Sequence, residues 1–183
     1  MGGVHDLFTT YLKPIHPMPT PTADDFRAHS TWLHTQGADG VQLNAPGADL
    51  SGADLTGKNL ASALLPDANL TGAKLIGTDF TGADLSQASL SKADASGASF
   101  KNARLDGADF SGADLDGVQF LGASLVGAKF HAADASGAQF DGGDVSRADF
   151  SGADLSGADF TGCQQVGIIL EGADLTDTRG LLA

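Results

Sequence analysis

Residues 150–162 read FSGADLSGADFTG, a pattern that returns every five residues. That period matches neither the 3.6 of an α-helix nor the 2 of a plain strand. Followed outward, the frame holds from Ala48 to the last residues of the chain. Ala stands at 48, 53, 63, 68, 73, 83, 88 and at most matching positions to 173, and a larger apolar residue follows two places later, from Leu50 and Leu55 through Phe80 to Leu175. Residues two apart point the same way in extended chain, so each pentapeptide supplies one very short strand with a small and a large side chain facing inward. Gly two places after the large residue, as at Gly52 and Gly57, permits a tight corner. Strand and corner alternate, and the chain must coil.

The number of sides follows from which spacing sorts the large residues into uniform stacks. A fifteen-residue turn mixes them: Phe80, Ala95, Phe110, Leu125, Phe140, Leu155. A twenty-residue turn puts Phe80, Phe100, Phe120, Phe140 and Phe160 in one column and Phe110, Phe130 and Phe150 in another on the opposite side. Two strands joined by corners enclose no core, which leaves four sides. The fold class is therefore an all-β solenoid, a quadrilateral β-helix, with a short α-helical N-terminal segment. Residues 48 to about 177 make 26 pentapeptides, or about 6.5 coils, and at ~4.8 Å per rung the rod is ~31 Å long.

Three segments result: an N-terminal helical and Pro-rich lead-in with a cap (1–47), the repeat rod (48–178) and a short C-terminal tail (179–183). In the lead-in, Val4, Leu7, Phe8, Tyr11 and Leu12 share one face of a short helix that Lys13-Pro14 ends. Pro14, Pro17, Pro19 and Pro21 read as a semi-rigid linker. Thr22 followed by Asp25 marks a capping box for a helix over 23–36, running toward Gly37. A solenoid has two open ends that invite association unless covered. Phe26, Trp32 and Leu33 are the expected N-terminal lid. Val166, Ile168, Ile169, Leu181 and Leu182 break the inside/outside pattern, so they are the expected C-terminal cap or homodimer contact.

A net charge of −13 and a pI near 4.3 exclude direct binding to nucleic-acid phosphates and to anionic membrane surfaces, both of which need an excess of Lys and Arg. A basic protein partner fits that charge. No apolar run reaches the ~18 residues of a membrane span and the N-terminus lacks a secretory layout, so the expected location is the cytoplasm. Asp6 stands where N-myristoylation requires Ser or Thr. Cys163 is the single cysteine, which excludes an intrachain disulfide and a thiolate zinc site, and it reads as a small buried apolar residue. His29 and His34 lie about 140° apart on a helix, too far round to ligate one metal. The Gly residues are corner residues, not a phosphate loop. No catalytic residue, metal or cofactor is expected.

The repeats ADLTG at 53–57 and ADLSG at 153–157 are similar to those of the pentapeptide repeat family, and the resemblance covers about 130 of the 183 residues. It implies a right-handed quadrilateral β-helix, in agreement with the four sides inferred from the Phe columns. The segment HSTWLHTQGADG at 29–40 is similar to a helical lead-in that precedes the repeats of many bacterial members. Some members bind type II DNA topoisomerases and protect them by imitating duplex DNA. The repeats of this chain run without the loop insertions that some of those proteins carry.

The outward residue before each large one gives a column Asp54, Lys74, Asp94, Asp114, Asp134, Asp154, Asp174. Residues Asp94, Asp114, Asp134, Asp154 and Asp174 form the candidate acidic interaction face. Asp also belongs to the repeat consensus, where its carboxylate bonds turn amides. Between 48 and 178 there are 19 acidic and 7 basic residues, which over ~31 Å is one net negative charge per ~2.6 Å against one per ~1.7 Å in duplex DNA. Lys92, Lys101, Arg104 and Lys129 interrupt that density. The leading expectation is a non-enzymatic scaffold or protein-binding rod. The alternatives are a DNA-mimic regulator of gyrase or topoisomerase IV, and a secreted effector that uses residues 1–21 for recognition.

Overall fold

The computed structural model describes residues 20–182. The helix expected around Val4–Leu12 and the Pro-rich stretch up to Pro19 lie outside the described residues. The helix α1 spans Ala23–His34 and is opened by the expected capping box: the Thr22 hydroxyl accepts from the Asp25 N–H and the Asp25 carboxylate accepts from the Thr22 N–H. It ends two residues before the expected 36, because Gln36 and Gly37 turn into the left-handed region (φ 54° and 86°). No helix among the described residues is long and apolar enough to cross a membrane.

Beyond α1 the chain is a ladder of single-residue parallel bridges. Bridged positions recur every five residues from Asn44 to Arg179, and every bridge joins a residue to the one twenty positions later, as in Asp94 to Asp114 and Ser99 to Gln119. One turn therefore takes four pentapeptides. The first bridged position, Asn44, lies ahead of the first Ala of the repeat, and Leu43 and Ala45 already face the core. Rungs are tied by N–H···O=C bonds on both sides of the outward bridged residue, for example around Asp54, where Leu55 N–H donates to the Lys74 carbonyl (2.8 Å) and Lys74 N–H to the Ala53 carbonyl (2.9 Å).

Each corner is a type II turn closed by a bond such as Ala63 N–H to the Leu60 carbonyl (3.1 Å), and its third residue takes positive φ. Gly fills most of these sites. Gln87, Lys92, Asn102 and Arg147 occupy others at φ 54–60°, a conformation that disfavours L residues with a Cβ by about 1–2 kcal/mol each.

The interior is two facing Phe stacks. Along one, Phe80, Phe100, Phe120, Phe140 and Phe160 lie nearly parallel with centroids 4.5–5.3 Å apart. Along the other, Phe110, Phe130 and Phe150 stand 5.0 and 4.5 Å apart. The stacks meet edge to face, as between Phe120 and Phe130 at 88°, a geometry the ring quadrupoles favour. All eight rings are fully buried. Three residues at the small inward place donate to a core carbonyl 23 residues earlier: Thr78 to Leu55 (2.8 Å), Thr178 to Leu155 (2.9 Å) and the Cys163 thiol to Phe140 (2.8 Å).

Candidate functional site

The twenty-residue turn assigns every outward residue to one of four faces, and charge is unequally shared among them. The face built from residues 53–57 and every twentieth residue thereafter carries Asp54, Asp94, Asp114, Asp116, Asp134, Asp154, Asp174 and Asp177 against Lys74 alone, a net of −7. The two faces beside it, containing Asp49 and Asp79, net −2 and 0, and the face opposite, containing Asp84, nets −2. Lys92, Lys101, Arg104 and Lys129 all lie off the acidic face. Consecutive bridges run Asp94, Asp114, Asp134, Asp154, Asp174, so these five carboxylates form an unbroken column.

Each of the five also serves its own corner. One carboxylate oxygen accepts the N–H two residues on: Ser96 for Asp94 (3.3 Å), Asp116 for Asp114 (3.2 Å), Ser136 for Asp134 (3.1 Å), Ser156 for Asp154 and Thr176 for Asp174 (both 2.9 Å). Such hydrogen bonds favour the ionised form. The Thr176 hydroxyl and amide together hold the Asp174 carboxyl below its ordinary range. The turn use of Asp explains why the residue recurs on all four faces; it does not explain why one face holds eight acids and one base.

At the N-terminal end, Phe26 packs half-buried against the core, and Trp32 and Leu33 are also half-buried. The fully buried member of the lid is His29, which the sequence analysis weighed only as a metal ligand with His34. Its Nδ1 accepts the Leu43 N–H at 3.0 Å and its ring stacks on Trp32 with centroids 5.8 Å apart. Burial pushes the His29 pKa down, with the Ala61 carbonyl opposing. The two glycines of the lead-in have separate jobs. Gly37 donates to the Trp32 carbonyl (2.8 Å) in a left-handed conformation, while Gly40 lies so close to α1 that a Cβ would sit 2.4 Å from the Ala28 carbonyl oxygen. A partly open cavity of about 580 Å³ remains between α1 and the first coil, lined by Thr20, Phe26, Leu50, Ala53, Leu55 and Leu60.

The C-terminal residues divide. Ile168 and Leu181 pack against the core, whereas Val166 (77% exposed), Ile169 (46%) and Leu182 (76%) are exposed, as is Leu175 in the last coil. Gln165, in a position that is apolar in earlier coils, folds the tail over the end: its amide donates to the Gly180 carbonyl (2.7 Å) and accepts the Leu182 N–H (3.1 Å). Gly180 crosses the last Phe ring's backbone so closely that a Cβ would lie 2.3 Å from the Thr161 nitrogen. Among the described residues no cluster of three His, Cys, Asp or Glu could hold a metal ion.

The family model for pentapeptide repeats matches eight copies between residues 47 and 179. The chain belongs to the pentapeptide repeat family. Membership brings the right-handed β-helical solenoid with it. Solved members similar to this chain include HetL of the cyanobacterium Nostoc, involved in heterocyst differentiation regulation, with 32% identity over 74% of this chain and 72% of that one (TM-score 0.45). A pentapeptide repeat protein of the Arabidopsis thaliana thylakoid lumen has 30% identity over 73% and 70% (TM-score 0.46). QnrB1, a plasmid-mediated fluoroquinolone resistance protein, has 25% identity over 72% and 79% (TM-score 0.39). No curated protein matches the chain.

Proposed function

We propose that the protein is a non-enzymatic binding rod whose acidic face docks a basic protein partner. The observation that carries this reading is the net charge of −7 on one face of four. Ladder carboxylates ~4.8 Å apart repel by about 1 kcal/mol per pair when fully hydrated. A basic surface laid along the column relieves that repulsion and gains steered association. The exposed Val166, Ile169 and Leu182 are the proposed contact for a homodimer through the C-terminal end. The test compares two triple substitutions of equal charge change: Asp114, Asp134 and Asp154 to Lys on the acidic face, and Asp84, Asp109 and Asp144 to Lys on two others. Proteins retained from native extract by the wild type are lost with the first and kept with the second. Equal loss with both refutes a dedicated face.

A second reading, regulation of gyrase or topoisomerase IV by DNA mimicry, draws on the same column, whose ~4.8 Å charge spacing approaches the 3.4 Å per phosphate of one DNA strand. It requires the rod to change gyrase supercoiling or its quinolone sensitivity at micromolar concentration, and the Asp114/Asp134/Asp154 triple variant to lose that effect. No effect of the wild type at tens of micromolar rejects it.

A further inference from the structure

His29 joins the lid to the rod through a bond that only a neutral imidazole can accept. Its Nδ1 takes the N–H of Leu43, the residue that begins the first coil, so the ring's proton resides on Nε2, which among the described residues has no hydrogen-bond partner and no exposure to solvent. Protonation would place an N–H at Nδ1 against the N–H of Leu43, turning an acceptor into a second donor. It would also create a buried cation.

Among the described residues no carboxylate bonds the ring to compensate that charge. On α1, Asp24 is engaged by Arg27 and Asp25 by Thr22, both exposed, and His34 is exposed at the helix end. In the segment after α1, Asp39 is exposed and bonds the Gly40 N–H. On the first coil Asp49 and Asp54 bond their own corners, and a cation, Lys58, stands on the lid's apolar side with its Nζ 5.6 Å from the Phe26 ring centroid. None of these groups bonds the His29 ring. Beyond the turn at residues 35–37 that closes the helix end, the lid's backbone tie to the following chain among the described residues is one bond, Val41 N–H to the Ala28 carbonyl (3.2 Å).

We propose that His29 is an acid-sensitive latch: protonating it detaches α1 from the first coil and uncovers the N-terminal end of the rod. A histidine whose folded pKa is lowered stabilises the closed lid fully above its ordinary pKa of ~6.5 and loses that contribution as pH falls toward the folded value. Over that window closure weakens by up to about tenfold per pH unit. Opening extends the apolar cavity under Phe26 to Leu43 and frees the unpaired backbone groups of the first rung, which makes the end competent for association in acid.

Trp32 is the only tryptophan and stacks on the latch, so its fluorescence reports the state directly. The full chain is titrated from pH 8 to 4.5 while far-UV circular dichroism follows the rod. The expected result is a Trp32 transition below pH 6.5 with the rod signal constant, absent in His29→Leu and present in His34→Ala. A transition that does not come from His29 survives in His29→Leu and is thereby separated. Protection of the Leu43 amide, corrected for intrinsic exchange, should fall by up to about tenfold per pH unit in the wild type alone. A transition that persists in His29→Leu, constant Leu43 protection down to pH 4.5, or loss of the lid only together with the rod overturns the proposal.

Discussion

Replacing Phe130 by Ala strikes the molecule where its interior is most interlocked. The ring is fully buried, stacks on Phe110 at 5.0 Å and Phe150 at 4.5 Å, and meets Phe120 and Phe140 edge-on at 5.9 Å. Removing a buried Phe costs about 3–5 kcal/mol through lost transfer energy and the cavity left behind. Four aromatic contacts, each worth ~0.5–1.5 kcal/mol beyond area, place Phe130 at the upper end. Phe80 begins its stack and touches only Phe100 among the rings, at 5.0 Å, so Phe80→Ala belongs at the lower end. For a domain of this size each kcal/mol shifts Tm by ~2–4 °C, which gives a fall of ~6–20 °C with the central substitution the larger. Thermal melts followed by circular dichroism measure it, with Asp134→Ala on the same coil as the exposed control, expected to cost less than Phe130→Ala because it loses only the exposed hydrogen bonds from the Ser136 amide and hydroxyl, worth ~0.5–1.5 kcal/mol each. The reasoning fails if Phe130→Ala melts no lower than Asp134→Ala, or if Phe80→Ala is the more damaging of the two ring deletions.

Gly180→Ala should release the C-terminal tail, since its Cβ would collide with the Thr161 nitrogen; faster amide exchange at Leu182 with an intact rod is the expected reading. Gly40→Ala should do the same to α1, seen as increased solvent exposure of Trp32 by fluorescence. The carboxyls of Asp49, Asp54, Asp149, Asp159 and Asp174 are held below their ordinary values first by the hydroxyl and then by the amide of the Ser or Thr two residues on. A depressed folded pKa means that their contribution is complete above about pH 4 and is lost as pH falls further, so Tm should decline below pH 4. Cys163 is buried and its thiol is pushed up to about 11 by burial; a thiol reagent at pH 8 should leave the native protein unmodified and label it on unfolding.

The period of five, the inward Ala and Leu pairs and the corner glycines were all legible in the sequence because each is a local requirement repeated many times. The twenty-residue turn was legible for a different reason: rings that stack must recur at the turn length, and eight Phe were enough to reveal it. His29 was not read as a lid residue, although it shares a helix face with Phe26, Trp32 and Leu33, because a polar residue's burial depends on the partner it meets. Here that partner is one backbone N–H, Leu43. Gly40 likewise looks like any loop glycine until the chain is seen to cross α1 at Ala28. The charge asymmetry was within reach, but a single column of Asp hides it; it emerges only when every charged residue is assigned to a face. Gln165 reads as a fault in the apolar pattern and is instead the group that fastens Gly180 and Leu182.

The faces, the acidic column and both ends rest on one geometric fact, the pairing of each residue with the one twenty positions later. Paired cysteines test it in a Cys163→Ala background. Ser99 and Gln119 are bridge partners, and neighbouring rungs lie ~4.8 Å apart, inside the Cα separation of 4.4–6.8 Å that a disulfide spans. Ser99→Cys with Gln119→Cys should oxidise readily within one chain, and Ser99→Cys with Asp114→Cys, fifteen apart and on a different face, should not. Efficient closure of the fifteen-residue pair with failure of the twenty-residue pair would contradict the four-sided turn and the assignment of faces built on it.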